Sequence, residues 1–596
     1  MAIPGVMSFV ERQASRLRGL PWGVRLALGL VPIVLGALVL LRPFESLTLL
    51  IVLIAVSLAV DGLARIAAAA GSPRASVAVA VAVGVLELVG AILVIAWPQI
   101  SVAALAIIVG ALLVLSGIGD LVGAVRGRPG ERLGGGLLGA ALVIFGILAI
   151  LWPDVSLLLI AVVFAIRLIA FGLAVIARAL RHRGAAGPAP RHATTRAGRA
   201  VALTARALLL VLALVAIAGS AYLHRSVPQP SAFYDAPDSV PTEPGSLIRS
   251  EAYTQAVPDG ARGWLILYTT TDVHDEPAVG SAFVMAPVDA GPGPLDVVLW
   301  THGTQGADRT CAPTVLPEPL PLAGPIAAMN EQLEAGRVLI GPDYPGMGTA
   351  GPQGYLVGEN EGRSSLDAVR AAHELAELEL SWRTVVWGHS QGGQAALWTG
   401  GLAPDYAPEI QLLGVSAAAP AADVKGLIGS LGESLIGQLL GPFAVRSYAE
   451  TYDDVDAAHY VDARMWAIYD AASRRCLPNA DTTVSLLTAL TMHGTMYRVD
   501  PSTGPLGDRL DENVPTLMIG APLFIAQGTA DPLILPAVQE KYVQSRCAAG
   551  QELVFREYEG RDHLSVVADD SPYSTDLAAW TADRFSGAPA PASTCP

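Results

Sequence analysis

Seven apolar stretches, near residues 22–41, 46–66, 77–97, 101–123, 134–152, 155–178 and 206–223, dominate the first part of the chain. Each has about the 17–25 residues that a helix needs to cross the hydrocarbon core of a bilayer. The pattern repeats: Pro43, Pro98 and Pro153 are spaced by 55, as are Ser46, Ser101 and Ser156, and Gly62, Gly117 and Gly172. Three helical hairpins therefore share one template. Pro at the start of a helix costs no backbone bond, Ser beside it can cap, and a recurring Gly lets helices approach closely in lipid. Six spans follow the first and no small-residue cleavage site closes it, so it reads as retained and not as a signal peptide. The seventh stretch stands outside the repeat, behind the linker GAAGPAPRHATTRAGR, and reads as an anchor. Asp61, Glu87, Asp120 and Arg167 fall within or at the edges of spans, with Glu87 and Arg167 as a candidate pair; packing outweighs a transport or proton-relay role for them.

Beyond residue 228 the pattern changes. A Pro- and Ser-rich stretch to about 246 reads as an extended tether, and strand-like and helix-like runs then alternate, the signature of a mostly parallel α/β sheet. Strands are predicted at 263–270, 281–286, 295–300, 337–340, 384–387, 412–418, 523–527 and 553–557, with an amphipathic helix near 365–380. The run 426–441 sets Leu427, Leu431, Leu435 and Leu439 four apart and predicts a helix with one apolar face, weakened by its glycines.

Composition sharpens this division. The 596 residues are 52% hydrophobic and only 15% charged, with a net charge of −15 and a mean hydropathy of +0.48, which excludes disorder and a simple soluble enzyme. Residues 1–225 hold 19 arginines against 7 acidic residues, net +12, and the remainder holds 19 basic against 46 acidic residues, net −27. Arginines before the first span, after the second and fourth, and in the block 178–206 alternate with nearly uncharged turns. That pattern predicts a multi-pass cell-membrane protein with its amino terminus cytoplasmic and its acidic part outside. All four cysteines, Cys311, Cys476, Cys547 and Cys595, lie in that outer part, as an oxidising compartment allows. An acidic, lysine-poor domain argues against nucleic acid as partner. The partner implied for the first part is the bilayer.

The candidate chemistry lies in Gly388-His389-Ser390-Gln391-Gly392-Gly393, a G-x-S-x-G that follows an apolar strand and opens a small-residue helix. Such an elbow holds a serine strained above the sheet, and Gly at 388 and 392 leaves room for the neighbouring strand and helix. The base and its orienting acid should follow in the order Ser, Asp, His. Asp531, at the end of a strand in Gly528-Thr529-Ala530-Asp531-Pro532, and His563, after the next strand, fill these places, against the blander readings of a turn aspartate and a surface histidine. His459 and His493 precede the acid, and His389 packs beside the nucleophile. The oxyanion donors should be the backbone of Gln391 and that of Gly303 or Thr304, in the Gly-rich turn Thr301-His302-Gly303-Thr304-Gln305-Gly306.

These residues resemble the secretory lipases, the group that includes the fungal lipase A enzymes, over about 245–596. The carriers are the elbow at 388–393, Pro342-Asp343-Tyr344-Pro345-Gly346-Met347-Gly348, Cys-Ala-Pro at 311–313, the acid loop at 527–532 and the 32-residue gap from Asp531 to His563. The resemblance implies ester hydrolysis without metal or cofactor, a helical cap at about 423–515, and disulfides Cys311 with Cys476 and Cys547 with Cys595. Fungal members resemble the oxyanion region through an acidic side chain where this chain has His-Gly-Thr. Residues 22–182, short paired helices with W-P turns, resemble the acid-resistance membrane protein family (HdeD-like). The expected organisation is a multi-pass membrane domain at 1–182, a linker with the seventh helix at 183–227, a tether at 228–248 and an α/β-hydrolase domain at 249–596. The expected function is a membrane-anchored extracytoplasmic serine ester hydrolase for lipid-like acyl esters, its acyl site formed by the cap. The alternatives are an acyltransferase with the same triad, or a membrane module carrying an inactive hydrolase-like binding domain.

Overall fold

The computed structural model describes residues 22–41, 98–126, 129–152, 196–225 and 227–595 except 290, 292, 318–324, 433, 481 and 493, with short helical stretches between 55 and 96 and between 165 and 176. The chain divides into two compact units: residues 1–225 with 462–469 and 487–494, and the rest.

In the first unit, helices α1 (Trp22–Leu41), α2 (Pro98–Arg126), α3 (Pro129–Leu151) and α4 (Arg196–Arg225) are described. The repeated proline Pro98 opens α2, where its missing N–H costs nothing. Glycines set the helix contacts: a Cβ on Gly117 would stand 2.6 Å from the Gly139 carbonyl oxygen, and one on Gly172 would stand 2.4 Å from that of Gly29. Two of the three repeat glycines thus sit where backbones meet; Gly62 lies outside the described residues, as do Asp61, Glu87 and Arg167. Among the described residues two helices are long and apolar enough to cross a membrane, Arg132–Leu151 and Leu203–Leu223, with shorter apolar runs at Gly29–Leu38 and Leu113–Val125. That is fewer than the seven expected, because the stretches near 46–66, 77–97 and 155–178 fall largely outside the described residues.

The second unit is built on a sheet of nine described strands: β1 (Leu247–Tyr253), β2 (Ala261–Thr271), β3 (Pro277–Pro287), β4 (Leu295–Thr301), β5 (Val338–Pro342), β6 (Leu380–His389), β7 (Gln411–Ala418), β8 (Leu523–Gly528) and β9 (Val554–Tyr558). Their order is β1-β2-β3-β5-β4-β6-β7-β8-β9. From β5 onward the pairs are parallel, while β1, β2 and β3 join antiparallel to one another and to β5. Helices cover both faces, so β4 is apolar throughout 297–300 and β6 throughout 385–387, and alternate residues feed two cores. Val298, Trp300, Val385 and Trp387 enter one core, and Val297, Leu299 and Val386 the other. The strand that the pattern misses, β1, is an edge strand with residues 250–252 exposed.

Between these strands run α5 (Ile326–Glu334), α6 (Gly358–His373) and α7 (Gln391–Tyr406). The helix expected at 365–380 starts seven residues earlier and ends before Leu380, which pairs with Leu295 in the sheet. Its first turns escape the apolar pattern because polar Asn360, Glu361, Ser364 and Ser365 are buried there. The expected tether also changes: Ser231 caps a short turn at Ala232–Tyr234 whose Phe233 and Tyr234 belong to the core, and Gly245 N–H donates to Thr269 O at 2.7 Å. This part of the segment is therefore globule and not spacer.

The segment linking β7 and β8 forms α8 (Val424–Leu431), α9 (Leu435–Thr451), α10 (Ala457–Tyr460), α11 (Trp466–Ser473), α12 (Thr482–Thr491) and α13 (Gly504–Glu512). The single helix expected over 426–441 is broken. Gly432 adopts φ +34°, and the Ser434 hydroxyl caps α9 by accepting from Gly437 N–H at 3.0 Å. Leu427 is buried and Leu435 exposed, so the four-residue leucine stripe does not continue across the break. Helices α14 (Pro536–Ala548) and α15 (Pro572–Ser586) complete the unit. Cys311 is bonded to Cys476 and Cys547 to Cys595.

Candidate active site

The turn from β6 into α7 places Ser390 at φ 59°, ψ −122°, a region that non-glycine residues enter at a cost of ~1–3 kcal/mol. Its backbone is held on both sides: Ser390 N–H donates to Ala418 O at 3.0 Å, and Ser390 O accepts from Ala421 N–H at 3.0 Å and Gln394 N–H at 3.1 Å. Contact, not dihedral freedom, demands the two flanking glycines. A Cβ on Gly388 would lie 2.0 Å from Gly392 O, and one on Gly392 would lie 2.0 Å from Thr301 O.

The structure brings the three residues singled out in the sequence together. His563 Nε2 is 2.9 Å from Ser390 Oγ, and His563 Nδ1 is 2.8 Å from Asp531 Oδ2. With Nδ1–H donating to the carboxylate, Nε2 is left as the acceptor for the serine hydroxyl. Asp531 sits at the carboxyl end of β8 and is 3% exposed. Its Oδ1 accepts the N–H groups of Leu533 (2.8 Å) and Ile534 (2.9 Å), and Gln527 Nε2 donates to Oδ2 at 3.2 Å. These bonds fix the carboxylate that aims the imidazole. His389 Nε2–H donates to the His563 carbonyl at 2.8 Å, and the two rings lie 4.8 Å apart, so His389 steadies the histidine loop from beside the elbow.

The turn after β4 lies next to the elbow, where the Thr301 hydroxyl contacts Trp387 O (2.9 Å) and Gly392 O (2.7 Å). His302 is buried, stacks on Tyr344 at 4.3 Å, and is pushed down to about 4 by burial, so it is a neutral imidazole at neutral pH. Its Nδ1 is 2.7 Å from Gly303 O and donates to it. The Gly303 carbonyl and the Thr304 N–H share one trans peptide and point in opposite directions. Tying the carbonyl to His302 therefore turns the Thr304 N–H the other way. On the far side, Gln391 opens α7, and its N–H is among those that lack an acceptor within the helix. Leu477 N–H donates to Gln305 O at 2.7 Å, beside the Cys311–Cys476 bond.

Sequence reasoning assigned no role to two buried acids here, Asp343 and Glu361. Asp343 accepts from the Ser281 hydroxyl (2.6 Å) and Thr314 N–H (3.0 Å), and burial pushes it up to about 7. Glu361, fully buried in α6, accepts from the Gln391 side-chain amide at 2.6 Å and Leu356 N–H at 3.1 Å, and burial pushes it up to about 8. The available signal was a Glu on a helix whose neighbours Gly362, Ser364 and Ser365 are too small to shield it from the sheet. Among the described residues no group of three or more His, Cys, Asp or Glu is placed to hold a metal ion.

A mostly parallel sheet, a serine at a strand-to-helix elbow, and acid and histidine following it in that order define the α/β-hydrolase class. Residues 326–593 match the family model described as secretory lipase, and residues 27–81, 82–140 and 137–191 each match a short repeat of unknown function. Over residues 326–593 the chain is thus similar to the secretory lipases, which supports a carboxylic ester hydrolase, and the amino-terminal part carries the threefold repeat legible in its proline and glycine spacing. Lipase 5 of Candida albicans is 24% identical over 415 residues, covering 64% of this chain and 86% of that protein. The secreted triacylglycerol lipase of Malassezia globosa is 32% identical over 267 residues, 41% of this chain and 56% of its own. The closed-state structure of Candida antarctica lipase A superposes with a TM-score of 0.54 at 19% identity, covering 62% of this chain and 90% of that one, and shows the shared fold.

Proposed function

We propose that the protein is a membrane-anchored, extracytoplasmic serine esterase or lipase that cleaves lipid-like acyl esters through an acyl-enzyme. The observation that carries this reading is the continuous Ser390–His563–Asp531 chain, with contacts of 2.9 and 2.8 Å. His563 Nε2 takes the proton of Ser390 Oγ as that oxygen bonds to the ester carbonyl carbon, and the carbonyl oxygen becomes an oxyanion. The backbone N–H groups of Gln391 and Thr304 stabilise it, with Thr304 preferred to Gly303 because His302 holds the Gly303 carbonyl. The imidazolium returns its proton to the departing alkoxide, and a water activated by the same nitrogen then releases the acid. Asp531 stays charged and orients the ring throughout.

For the acyl chain, support comes from the secretory-lipase match and from a small recess near the site, whose lining joins Ala421, Ala422, Leu427, Leu533, Ile534 and Leu535 to polar Asp423, Ser430 and Gln539. Two of these residues adjoin the chemistry: Ala421 N–H binds Ser390 O, and Ile534 N–H binds Asp531. Each acyl methylene buried there is worth ~0.8 kcal/mol. Membrane anchoring is supported by the apolar helices Arg132–Leu151 and Leu203–Leu223 ahead of the hydrolase domain, and the external placement by the arginine asymmetry and the two disulfides.

The test is hydrolysis of p-nitrophenyl esters of increasing acyl length by the full chain in detergent, beside Ser390→Ala. Wild type should prefer medium or long chains over acetate. Ser390→Ala should lose ~10⁴-fold or more in turnover and should fail to react with a fluorophosphonate. Labelling that persists in the variant would put the nucleophile elsewhere.

A further inference from the structure

The loop at 352–357 connects both sides of the oxyanion site. On one side the Tyr355 hydroxyl contacts the Thr304 hydroxyl at 3.1 Å. On the other, Leu356 N–H donates at 3.1 Å to Glu361 Oε1, the same oxygen that accepts the Gln391 side-chain amide at 2.6 Å. The loop is strained: Leu356 holds φ +60°, costly for a side chain branched at Cγ and kept only where surroundings over-determine it. Three groups fix it, since the Leu356 carbonyl accepts from Gln394 Nε2 (3.4 Å) and the Tyr448 hydroxyl (2.9 Å) while its N–H is held by Glu361. Glu361 itself has no exposed surface, and its Oε2 has no hydrogen-bond partner. A carboxyl group placed there is expensive for stability alone.

We propose that Glu361 is a positioning residue for the oxyanion site: through one carboxyl oxygen it fixes Gln391 directly and, by way of Leu356 and Tyr355, fixes Thr304. The inference rests on the assignment of Gln391 and Thr304 as donors to the acyl oxygen. Both donors then stand on one buried support, so their separation is set before substrate arrives, which is the condition for stabilising charge that appears only in the transition state. Because burial pushes the carboxyl up to about 8, the group acts as a hydrogen-bond acceptor largely in its neutral form near pH 7. A glutamine, which keeps a carbonyl oxygen at the same place, should therefore substitute.

The experiment compares wild type, Glu361→Leu, Glu361→Gln and Tyr355→Phe as full chains in detergent, with active sites counted by fluorophosphonate titration. The readouts are kcat per titrated site, KM, and the Ki of an alkylboronic acid, whose tetrahedral adduct with a serine places an oxygen where the oxyanion forms. Loss of a whole oxyanion donor costs ~10²–10³-fold; displacement of both by Glu361→Leu should lower kcat per site about 10- to 100-fold. Its Ki should rise in parallel and its KM should stay within about twofold. Glu361→Gln should stay within about threefold of wild type, and Tyr355→Phe should fall between the two, with Ki following kcat. Unchanged kcat per site in Glu361→Leu, a fall in kcat without a rise in Ki, or a Gln variant as impaired as Leu overturns the proposal. If Glu361→Leu yields no titratable sites, Tyr355→Phe decides, and unaltered kcat and Ki there overturn it. Full hydrolysis by Ser390→Ala would instead remove the functional reading beneath it, a distinguishable result.

Discussion

His302, in the turn after β4, and Glu361, in the first turns of α6, respond to pH in opposite senses. Burial pushes His302 down to about 4 from 6.5, and pushes Glu361 and Asp343 up to about 8 and about 7 from 4.5 and 3.8. As pH falls from 6.5 to 4 the unfolded chain gains a proton at His302 before the folded one, so stability from that residue is lost on acidification. The acids behave in the reverse sense. Below their unfolded values both states are protonated and their contribution is fully present; as pH rises toward 7 to 8 the unfolded chain has released protons that the folded one still holds, and stability is lost. Each unit of difference is worth about 1.4 kcal/mol at most. Glu361→Gln removes one titration, so its stability relative to wild type should increase steadily from pH 4.5 to 8. Urea unfolding followed by tryptophan fluorescence across that range checks this, and a pH-independent difference would contradict it. The same burial explains what the sequence hid. Ser390, Asp531 and His563 announce themselves because each follows a strand in an order the elbow imposes. Glu361 sits in a polar helical turn that reads as solvent-facing until the fold closes over it.

At the level of elements, apolar runs identified eight of nine described strands: seven are interior and covered on both faces, and the eighth, the edge strand β9, opens on the half-buried Val554 and Phe555. The edge strand β1, with its exposed centre, carries no such signal. The leucine stripe of 426–441 broke because helix ends are set by local backbone chemistry, here the positive φ of Gly432 and the Ser434 cap, which periodicity does not weigh, whereas α6 began early because its buried first turns are polar. The two disulfides allow a quantitative comparison. Cys311–Cys476 spans 165 residues and Cys547–Cys595 spans 48. In the chain-entropy account the longer loop stabilises by about 1 kcal/mol more. The pair Cys311→Ser with Cys476→Ser should therefore lower the urea midpoint more than Cys547→Ser with Cys595→Ser. Only the first pair should also lower kcat per titrated site, because Leu477 N–H is bonded to Gln305 O in the turn that carries Thr304. Equal effects of the two pairs on both readouts would show that the segment at 476–477 does not support that turn.

For the whole molecule, the division of charge is the strongest statement the sequence makes. An arginine-rich, lysine-free first part at net +12 precedes a part at net −27. Threefold matches to the short repeat cover residues 27–191, in keeping with the spacing of 55 between its prolines, and the apolar helix Leu203–Leu223 follows. Arginine near span ends is retained on the cytoplasmic side. The arginines before the first apolar stretch and in the block 178–206 therefore predict a cytoplasmic amino terminus and an odd number of crossings before residue 226. The disulfides give an independent reason for the same side, since they persist outside the reducing cytoplasm. Protease added to wall-stripped intact cells should then remove the hydrolase domain and leave an amino-terminal tag intact. Alkylation before and after reduction should find the four cysteines paired in the released fragment. A hydrolase domain protected until the membrane is permeabilised, with its cysteines alkylated without reduction, would place it inside and require an even number of crossings. Protection with the cysteines still paired would instead separate the two arguments, leaving the disulfides standing and the arginine rule at fault for this chain.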